Sequence, residues 1–214
     1  MNIEEIGIQT PARVFLIDDD KPVLNAVSLL MKSAGLECEN YSSAQDYLDK
    51  FDPKAPGCVV TDLRMPGLSG LDLQEQLSKM EGSPPVILIT GHGDVKVAVK
   101  ALKHGAVDFI EKPFVDDVLI KAVNKAIKLD LEHRRERLRF FNNEKKLAQL
   151  TEREMQVLDG VVAGKPNKII ADDLNLSIKT VEYHRSNVMS KLEVISIADL
   201  VKLVVETRTQ NNSK

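Results

Sequence analysis

The chain has 214 residues, 43% of them hydrophobic, with 29 Lys+Arg against 32 Asp+Glu and a formal net charge of −3. That length holds one large domain or two small ones, and the apolar fraction is that of a globular protein with a proper core. The balance singles out neither nucleic acid nor membrane, and no stretch approaches the ~20 apolar residues of a bilayer span. Divided by region, the charge is more telling. Residues 1–128 hold 14 Lys+Arg and 19 Asp+Glu, whereas residues 129–214 hold 15 and 13. Cys38 and Cys58 stand alone, each in or beside an apolar run, and read as free thiols in a reducing compartment. Glu4 and Glu5 near the start, with no apolar run of signal-peptide length, set the expectation of a cytoplasmic protein.

Residues 1–11 read as a tail. From 12 to 128 the pattern alternates strand and helix. Strands are predicted near 13–18, 36–40, 57–62, 86–90 and 107–111, and helices near 22–34, 44–51, 69–80, 95–104 and 115–130. Four of them, all but 36–40, are short apolar runs, as in parallel sheets buried on both faces. Five strands with their crossovers predict a doubly wound, flavodoxin-like α/β domain. Gly35, Gly57, Gly82 and Gly105 fall at expected helix ends or turns.

Residues 129–149 contain neither Pro nor Gly and can continue the last helix. A 4–3 spacing through Ile127, Leu131, Arg134, Leu138, Phe141, Lys145 and Ala148 outlines a weak coiled-coil seam, broken at Arg134 and Lys145. The alternative is a solvated helical linker. After Leu150 the chain is helical, and residues 150–208 read as an all-α four-helix domain followed by a polar tail, 209–214. Thr151-Glu152-Arg153-Glu154 is a capping box, and Gly164-Lys165-Pro166 ends that first helix. Asn167 to Leu174 is a short helix with Ile169, Ile170, Ala171 and Leu174 inward. Ser177 or Ile178 opens a helix to about Leu192, and Ile197 to Val205 closes the bundle, with polar chain from Thr207.

The carboxyl ends of parallel strands line the edge where ligands bind. Here that edge collects Asp18 and Asp19, Asp62, Thr90 and Lys112. Carboxylates brought together repel, by on the order of 4 kcal/mol for two charges about 4 Å apart at an effective dielectric of 20. A hard divalent cation such as Mg²⁺ removes that cost and prefers oxygen ligands. A carboxylate can also accept a phosphoryl group as an acyl phosphate, and Asp62, alone at the end of the central strand, is best placed for it. Lys112 would act as a point charge on the phosphoryl oxygens, with the Thr90 hydroxyl on another. A cis Lys112–Pro113 bond is plausible, since X–Pro bonds lower the cis penalty to about 0.5–1 kcal/mol. Asp20, followed by Lys21-Pro22, reads instead as a helix cap.

In the helical domain, Asn167–Leu174 and Ser177–Leu192, joined by a short turn, read as a helix-turn-helix whose second helix enters the major groove. Asn167, Lys168, Ser177, Lys179, Thr180 and Arg185 supply hydroxyls, amides and cations for phosphates, while Val181 and Val188 face inward. Glu182, Tyr183 and Ser186 face outward as candidates for base edges. Against this stands the charge: residues 151–214 hold nine Lys+Arg and nine Asp+Glu, so the domain fails a simple test for a basic DNA-binding module.

The runs Val-Phe-Leu-Ile-Asp-Asp-Asp, Thr-Asp-Leu-Arg-Met-Pro-Gly-Leu-Ser-Gly, Ile-Thr-Gly-His-Gly-Asp and Asp-Phe-Ile-Glu-Lys-Pro-Phe resemble the receiver domain of two-component response regulators, over residues 12–128. Leu-Thr-Glu-Arg-Glu, Asn-Lys-Ile-Ile-Ala-Asp-Asp-Leu and Ser-Ile-Lys-Thr-Val-Glu-Tyr-His-Arg resemble the LuxR-type helix-turn-helix, and the whole arrangement the FixJ-like branch of the NarL/FixJ class. The resemblance implies phosphorylation of Asp62 by a sensor histidine kinase. It implies a Mg²⁺ (or Mn²⁺) site of Asp18, Asp19, Asp62 and the Arg64 backbone carbonyl, with Thr90, Phe109 and Lys112 as switch residues. It further implies a homodimer on phosphorylation, binding to double-stranded promoter DNA, RNA polymerase as a further partner, and no membrane.

Two other readings stay open. Asp18-x-Asp20 after a strand also fits the opening of an aspartyl-phosphate hydrolase of the haloacid dehalogenase type, although that pattern wants Thr or Val where Pro22 stands. A receiver acting through protein contacts alone would use the helical tail differently.

Overall fold

The computed structural model describes residues 11–91, 99 and 101–211. By its contacts the chain divides into two units, Met1–Arg135 and Glu136–Lys214. The first is built on five strands: β1 (Arg13–Ile17), β2 (Glu37–Tyr41), β3 (Gly57–Asp62), β4 (Val86–Thr90) and β5 (Asp108–Glu111). All pair in parallel, in the order β2-β1-β3-β4-β5. Helices α1 (Lys21–Ser33), α2 (Ala44–Asp49), α3 (Gly70–Leu77) and α4 (Asp116–Leu147) supply crossovers and cover the faces. Half of the expected helix at 95–104 lies outside the described residues; Val99 and Ala101–Lys103 are helical.

The two-residue period of a strand sorts its side chains between two cores. Val14, Leu16, Cys58, Val60, Ile87 and Ile89 pack with α1 and α4. Phe15, Ile17, Val59, Val86 and Leu88 pack on the opposite face, with Tyr47 of α2 and Leu73 and Leu77 of α3. β1, β3 and β4 are buried almost end to end, as their apolar runs predict, while β2 and β5 at the rims are more open. Asp20 is the cap of α1, its carboxylate accepting the Val23 N–H, with Pro22 in the first turn. Cys38 and Cys58 are free thiols, and Lys112–Pro113 is cis.

α4 runs unbroken from Asp116 to Leu147, so the 129–149 segment continues the last crossover helix as the sequence reading allowed. The departure from that reading lies within it. Arg134, which interrupts the apolar spacing, lies almost wholly buried instead of in solvent. Its Nε donates to Asp130 Oδ2 at 2.7 Å, Nη1 to the Pro53 carbonyl at 2.9 Å, and Nη2 to the carbonyls of Ala55 and Gly82 at 2.7 and 3.0 Å. Asp130, only 1% exposed, also accepts the Gly57 N–H at 2.9 Å. Gly57 can be nothing larger, because a Cβ there would overlap the Arg13 carbonyl oxygen. A buried pair made this complete is tolerable; stripping one partner from such a pair costs about 3–5 kcal/mol. Leu138 and Phe141 are exposed, and Lys145 lies over the Phe141 ring at 4.3 Å.

The second unit holds α5 (Glu152–Val162), α6 (Asn167–Leu174), α7 (Ile178–Lys191) and α8 (Ile197–Asn211). Val157, Leu158, Val161, Ile170, Ala171, Val181, Val188, Leu192, Leu200, Leu203 and Val204 form its core. Two expectations need correction. Ile169 is 43% exposed, because an eight-residue helix offers the core only the stripe of Ile170, Ala171 and Leu174. The last helix continues beyond Val205 to Asn211. Thr207 is buried on the stripe of Leu200, Leu203 and Val204, and its hydroxyl, donated to the Leu203 carbonyl, makes that burial possible.

Candidate functional site

In the order 2-1-3-4-5 the winding direction reverses between β1 and β3, and ligands of open α/β sheets bind outside the carboxyl ends of the strands at such a point. The parallel register sets Ile17 beside Thr61, so the residues just beyond, Asp18 and Asp62, emerge side by side. Thr90 ends the neighbouring strand β4, and Lys112 follows β5.

Lys112 Nζ lies 3.0 Å from Asp18 Oδ2 and 2.8 Å from Asp62 Oδ1. One ammonium thus bridges two nearly buried carboxylates. Burial opposes the charge on Lys112, but the hydrogen bonds to Asp62 and Asp18 outweigh it and raise its pKa above the ordinary lysine value. The remaining carboxylate oxygens are held by main chain. Asp62 Oδ2 accepts the Arg64 N–H at 2.7 Å, and Asp18 Oδ1 accepts the Asp20 N–H at 2.9 Å.

The loop after β3 is closed tightly onto this edge. Leu63 and Met65 are buried, the Leu63 N–H donates to the Ile89 carbonyl and the Gly70 N–H to the Leu63 carbonyl. A Cβ at Gly70 would overlap the Asp62 carbonyl oxygen. The glycine that opens α3 is therefore required by close approach to the strand carrying Asp62.

Thr90 is buried, and its carbonyl accepts the Lys112 N–H at 2.7 Å, tying the hydroxyl and the lysine to one framework. Phe109 is half-buried against the α2–α3 side of the core. Asp19 and Arg64 are exposed. Among the described residues no three His, Cys, Asp or Glu side chains are grouped as around a metal ion. The structure therefore brings together Asp18, Asp62 and Lys112, with Thr90 tied in through its main chain, and leaves Asp19 outside the bridged pair.

In the helical unit, α6 and α7 are joined by Asn175-Leu176-Ser177, with Asn175 in the left-handed conformation that lets the chain turn. Lys179, Glu182, Tyr183 and Ser186 are exposed along α7 at helical spacing, Tyr183 by 63%. Lys168 is exposed at the start of α6. The Ser177 and Thr180 hydroxyls hydrogen-bond each other, and Ser177 also caps α7 by accepting the Thr180 N–H. Arg185 is half-buried and donates to Asn167 Oδ1. Those two residues pin α6 to α7 as well as standing among the phosphate-contact candidates.

Sequence reasoning found the capping box at Thr151 but missed its reach. Glu154 Oε2 accepts from the Thr151 N–H and from Lys191 Nζ at 2.6 Å, and Lys191 also donates to the Gln149 carbonyl. The far end of α7 is thereby tied to the start of α5. The hydrogen bond from Lys191, then that from the Thr151 amide, hold the Glu154 carboxyl below its usual range.

No helix among the described residues is long and apolar enough to cross a membrane. Residues 14–124 match the family described as the response regulator receiver domain, and residues 148–204 that of bacterial regulatory proteins, luxR family. The chain is 44% identical over 190 residues to the response regulator protein TodT of Pseudomonas putida, spanning 89% of this chain and 84% of that one. It is 43% identical over 192 residues to the transcriptional regulatory protein FixJ of Azorhizobium caulinodans, spanning 90% and 91%. Among solved structures, the response regulator StyR is similar with a TM-score of 0.83 at 41% identity, covering 92% of this chain and 100% of that chain.

The Glu154 geometry gives a pH prediction for the helical unit. A carboxyl with a lowered native pKa stabilises fully above its ordinary value of 4.5, and that contribution fades as pH falls through the lower native value. In denaturant unfolding of the full chain followed by amide exchange in α5 and α7, Glu154→Gln is less stable than wild type at about pH 6, and the gap narrows as the pH is lowered below 4.5. A gap constant with pH would show that Glu154 acts by packing alone.

Proposed function

The chain belongs to the response regulators that join a receiver domain to a LuxR-type DNA-binding domain, and from that footing we propose that it takes a phosphoryl group onto Asp62 from a sensor histidine kinase and regulates transcription at promoter DNA. Residues 12–128 act as the receiver, 129–149 as a helical linker and 150–208 as the DNA-binding domain. The observation that carries the reading is the Lys112 ammonium bridging Asp18 and Asp62 at the point where the sheet reverses its winding.

The donor set fits a hard divalent cation. Asp18 and Asp62 offer oxygen alone, with no His or Cys beside them, and Mg²⁺ needs only one or two carboxylates with water and phosphate oxygens. Asp18, Asp19, Asp62 and the Arg64 backbone carbonyl would hold Mg²⁺ or Mn²⁺. When bound, the ion neutralises charge on the oxygens of the transferring group.

The protein's own groups do the rest. The Arg64 N–H and Lys112 fix the Asp62 carboxylate at both oxygens, which presents it for attack on the phosphorus of a phosphohistidine. A new O–P bond forms as the N–P bond breaks, and the departing imidazole keeps its electron pair. Lys112 and the Thr90 hydroxyl then meet the new phosphoryl oxygens. Movement of Thr90 toward them makes room for Phe109 to turn inward, a local charge change biasing a two-state element. A coupling of 1–3 kcal/mol shifts populations about 5–150-fold.

The shifted state forms a homodimer that presents two copies of α7 to major grooves about 10 bp apart. Dimerisation suits a neutral domain, because affinity depends steeply on the number of phosphate contacts. Lys168 and Lys179 serve phosphates, aided by the Ser177–Thr180 hydroxyl pair and the Asn167–Arg185 pair. Glu182, Tyr183 and Ser186 meet base edges. RNA polymerase is a further partner, and a genomic DNA target places the protein in the cytoplasm. A phosphate-ester hydrolase would leave the LuxR-type unit without a role.

Incubated with acetyl phosphate and Mg²⁺, the full chain gains the mass of one phosphoryl group and then binds promoter DNA more tightly. Asp62→Asn gains neither. Uptake by that variant, or tighter binding without uptake, would overturn the assignment. For the DNA surface, Lys179→Ala weakens binding alike on all sequences and lowers the salt slope by about 1, whereas Tyr183→Ala relaxes preference at one base position. The reverse pattern in a titration series over salt and sequence would exchange their roles.

A further inference from the structure

The buried residues of α3 are Gly70, Leu73, Gln74 and Leu77, and Gln74, only 3% exposed, is the polar one among them. Its Nε2 donates to the Ala101 carbonyl at 3.0 Å, while its Oε1 is buried with no hydrogen-bond partner among the described residues. The opposite amide orientation would set two oxygens face to face, so the donor end must meet Ala101. The carbonyl does not need it. A carbonyl oxygen has two lone pairs, and this one already accepts the N–H groups of His104 and Ala106 at 3.1 Å each. Gly105, with φ of +91°, closes the same turn and leads the chain into β5. A leucine in place of Gln74 would fill the core without stranding an acceptor, and a buried acceptor left unpaired is costly. Gln74 thus holds the turn at 101–106 by a bond that folding does not require.

That turn lies in the core that Phe109 adjoins. Ala101 and Ala106 belong to the buried cluster of Leu73, Leu77 and Leu88, and the half-buried Phe109 ring packs against it. Leu88 stands opposite Phe109 in the β4–β5 register. A Cβ on Gly70, one helical turn before Gln74, would press on Leu88 and on the Asp62 carbonyl. α3 therefore meets the strand of Asp62 at its first residue and the turn before β5 one helical turn later. Protein cores are close-packed, so a ring that turns inward must displace a neighbour. The turn at 101–106 yields at least cost, because opening it lets Gln74 Oε1 find a partner in water.

We infer that Gln74 is a latch on the turn at 101–106: it holds that turn against α3 while Asp62 is bare and releases it when a phosphoryl group on Asp62 brings Phe109 inward. This rests on the phosphorylation reading above. Coupling is reciprocal, so whatever makes the latch harder to open also weakens binding at Asp62. Gln74→Leu does so, since it keeps the main-chain bonds of the turn and opening would expose an apolar side chain. Gln74→Glu does the opposite at neutral pH, where a buried carboxylate faces the Ala101 carbonyl oxygen. Once protonated, that carboxyl donates to Ala101 as the amide does.

The test follows amide hydrogen exchange in the full chain, with and without beryllofluoride and Mg²⁺, a reversible mimic of the phosphoryl group. The Ala106 N–H reports on the turn, and the Val59 N–H, donated to the Pro85 carbonyl, is the control. In wild type the mimic speeds exchange at Ala106 by about fivefold or more and leaves Val59 unchanged. Gln74→Leu exchanges slowly at Ala106 with or without the mimic and binds the mimic more weakly. Gln74→Glu exchanges fast at Ala106 in both conditions at neutral pH and binds the mimic more tightly. On acidification it returns toward the rate of wild type at the same pH. A residue that served packing alone would shift both variants in one direction and show no return. Should Gln74→Glu lose its tyrosine near-UV signal, Gln74→Leu alone carries the comparison. A response at Ala106 that survives in Gln74→Leu overturns the inference, as does mimic binding that leaves Ala106 of wild type unchanged. If wild type neither binds the mimic nor takes a phosphoryl group from acetyl phosphate, the phosphorylation reading falls, and the release falls with it.

Discussion

Two carboxylates that would repel across the ends of adjacent strands share one lysine, and the α/β unit is organised around that contact. The parallel register of β1 with β3 puts Asp18 next to Asp62. β5 must then end within reach on the same edge, so that Lys112 can close both pairs at about hydrogen-bond length. The main chain takes what the lysine leaves, through the amides of Arg64 and Asp20. The close approach of Gly70 to the Asp62 carbonyl keeps the connecting loop compact beneath it. The arrangement is balanced rather than inert. A doubly charged anion added to either carboxylate draws on the same lysine, and every element holding that lysine is then under a new load.

The opposite edge of the sheet answers a different need. There a charged pair is almost wholly buried, held by the Gly57 N–H and by the carbonyls of Pro53, Ala55 and Gly82. Such a pair adds little net stability over apolar residues of the same shape, but it is costly to break halfway and its geometry is exacting. A clamp of that kind suits the fixing of a helix axis. The helical unit uses a similar device: Glu154 gathers the start of α5 and the end of α7, and Asn167–Arg185 joins the start of α6 to the middle of α7. The recognition helix is thus fixed at both its middle and its end before any DNA is present.

What was legible in the sequence is what local pattern encodes. The apolar runs gave four of the five strands to within a residue or two, and the caps at Asp20, Thr151 and Ser177 marked helix starts because each turns on a side chain three residues from its amide. The strand-end residues Asp18, Asp62, Thr90 and Lys112 were recoverable because parallel topology gathers strand ends on one edge. Arg134 was not. It occupies a seam position where an apolar residue would continue the pattern, and its partners lie 52 to 81 residues away as bare carbonyls, which leave no trace in composition or spacing. Ile169 failed for a related reason, since adjacent apolar residues in a short helix do not announce which of them the core has room for. Thr207 reads as polar chain until the carbonyl of Leu203 is seen to satisfy its hydroxyl.

The central claim is that the phosphoryl group rests on Asp62 and on no other carboxylate of that edge. Borohydride reduces an aspartyl phosphate to homoserine, so peptide sequencing by mass spectrometry of the phosphorylated, reduced chain reads the position directly. The account predicts homoserine at position 62 alone, dependent on a divalent cation. Homoserine at position 18, 19 or 20, or none under conditions where the protein retains phosphate, would contradict it.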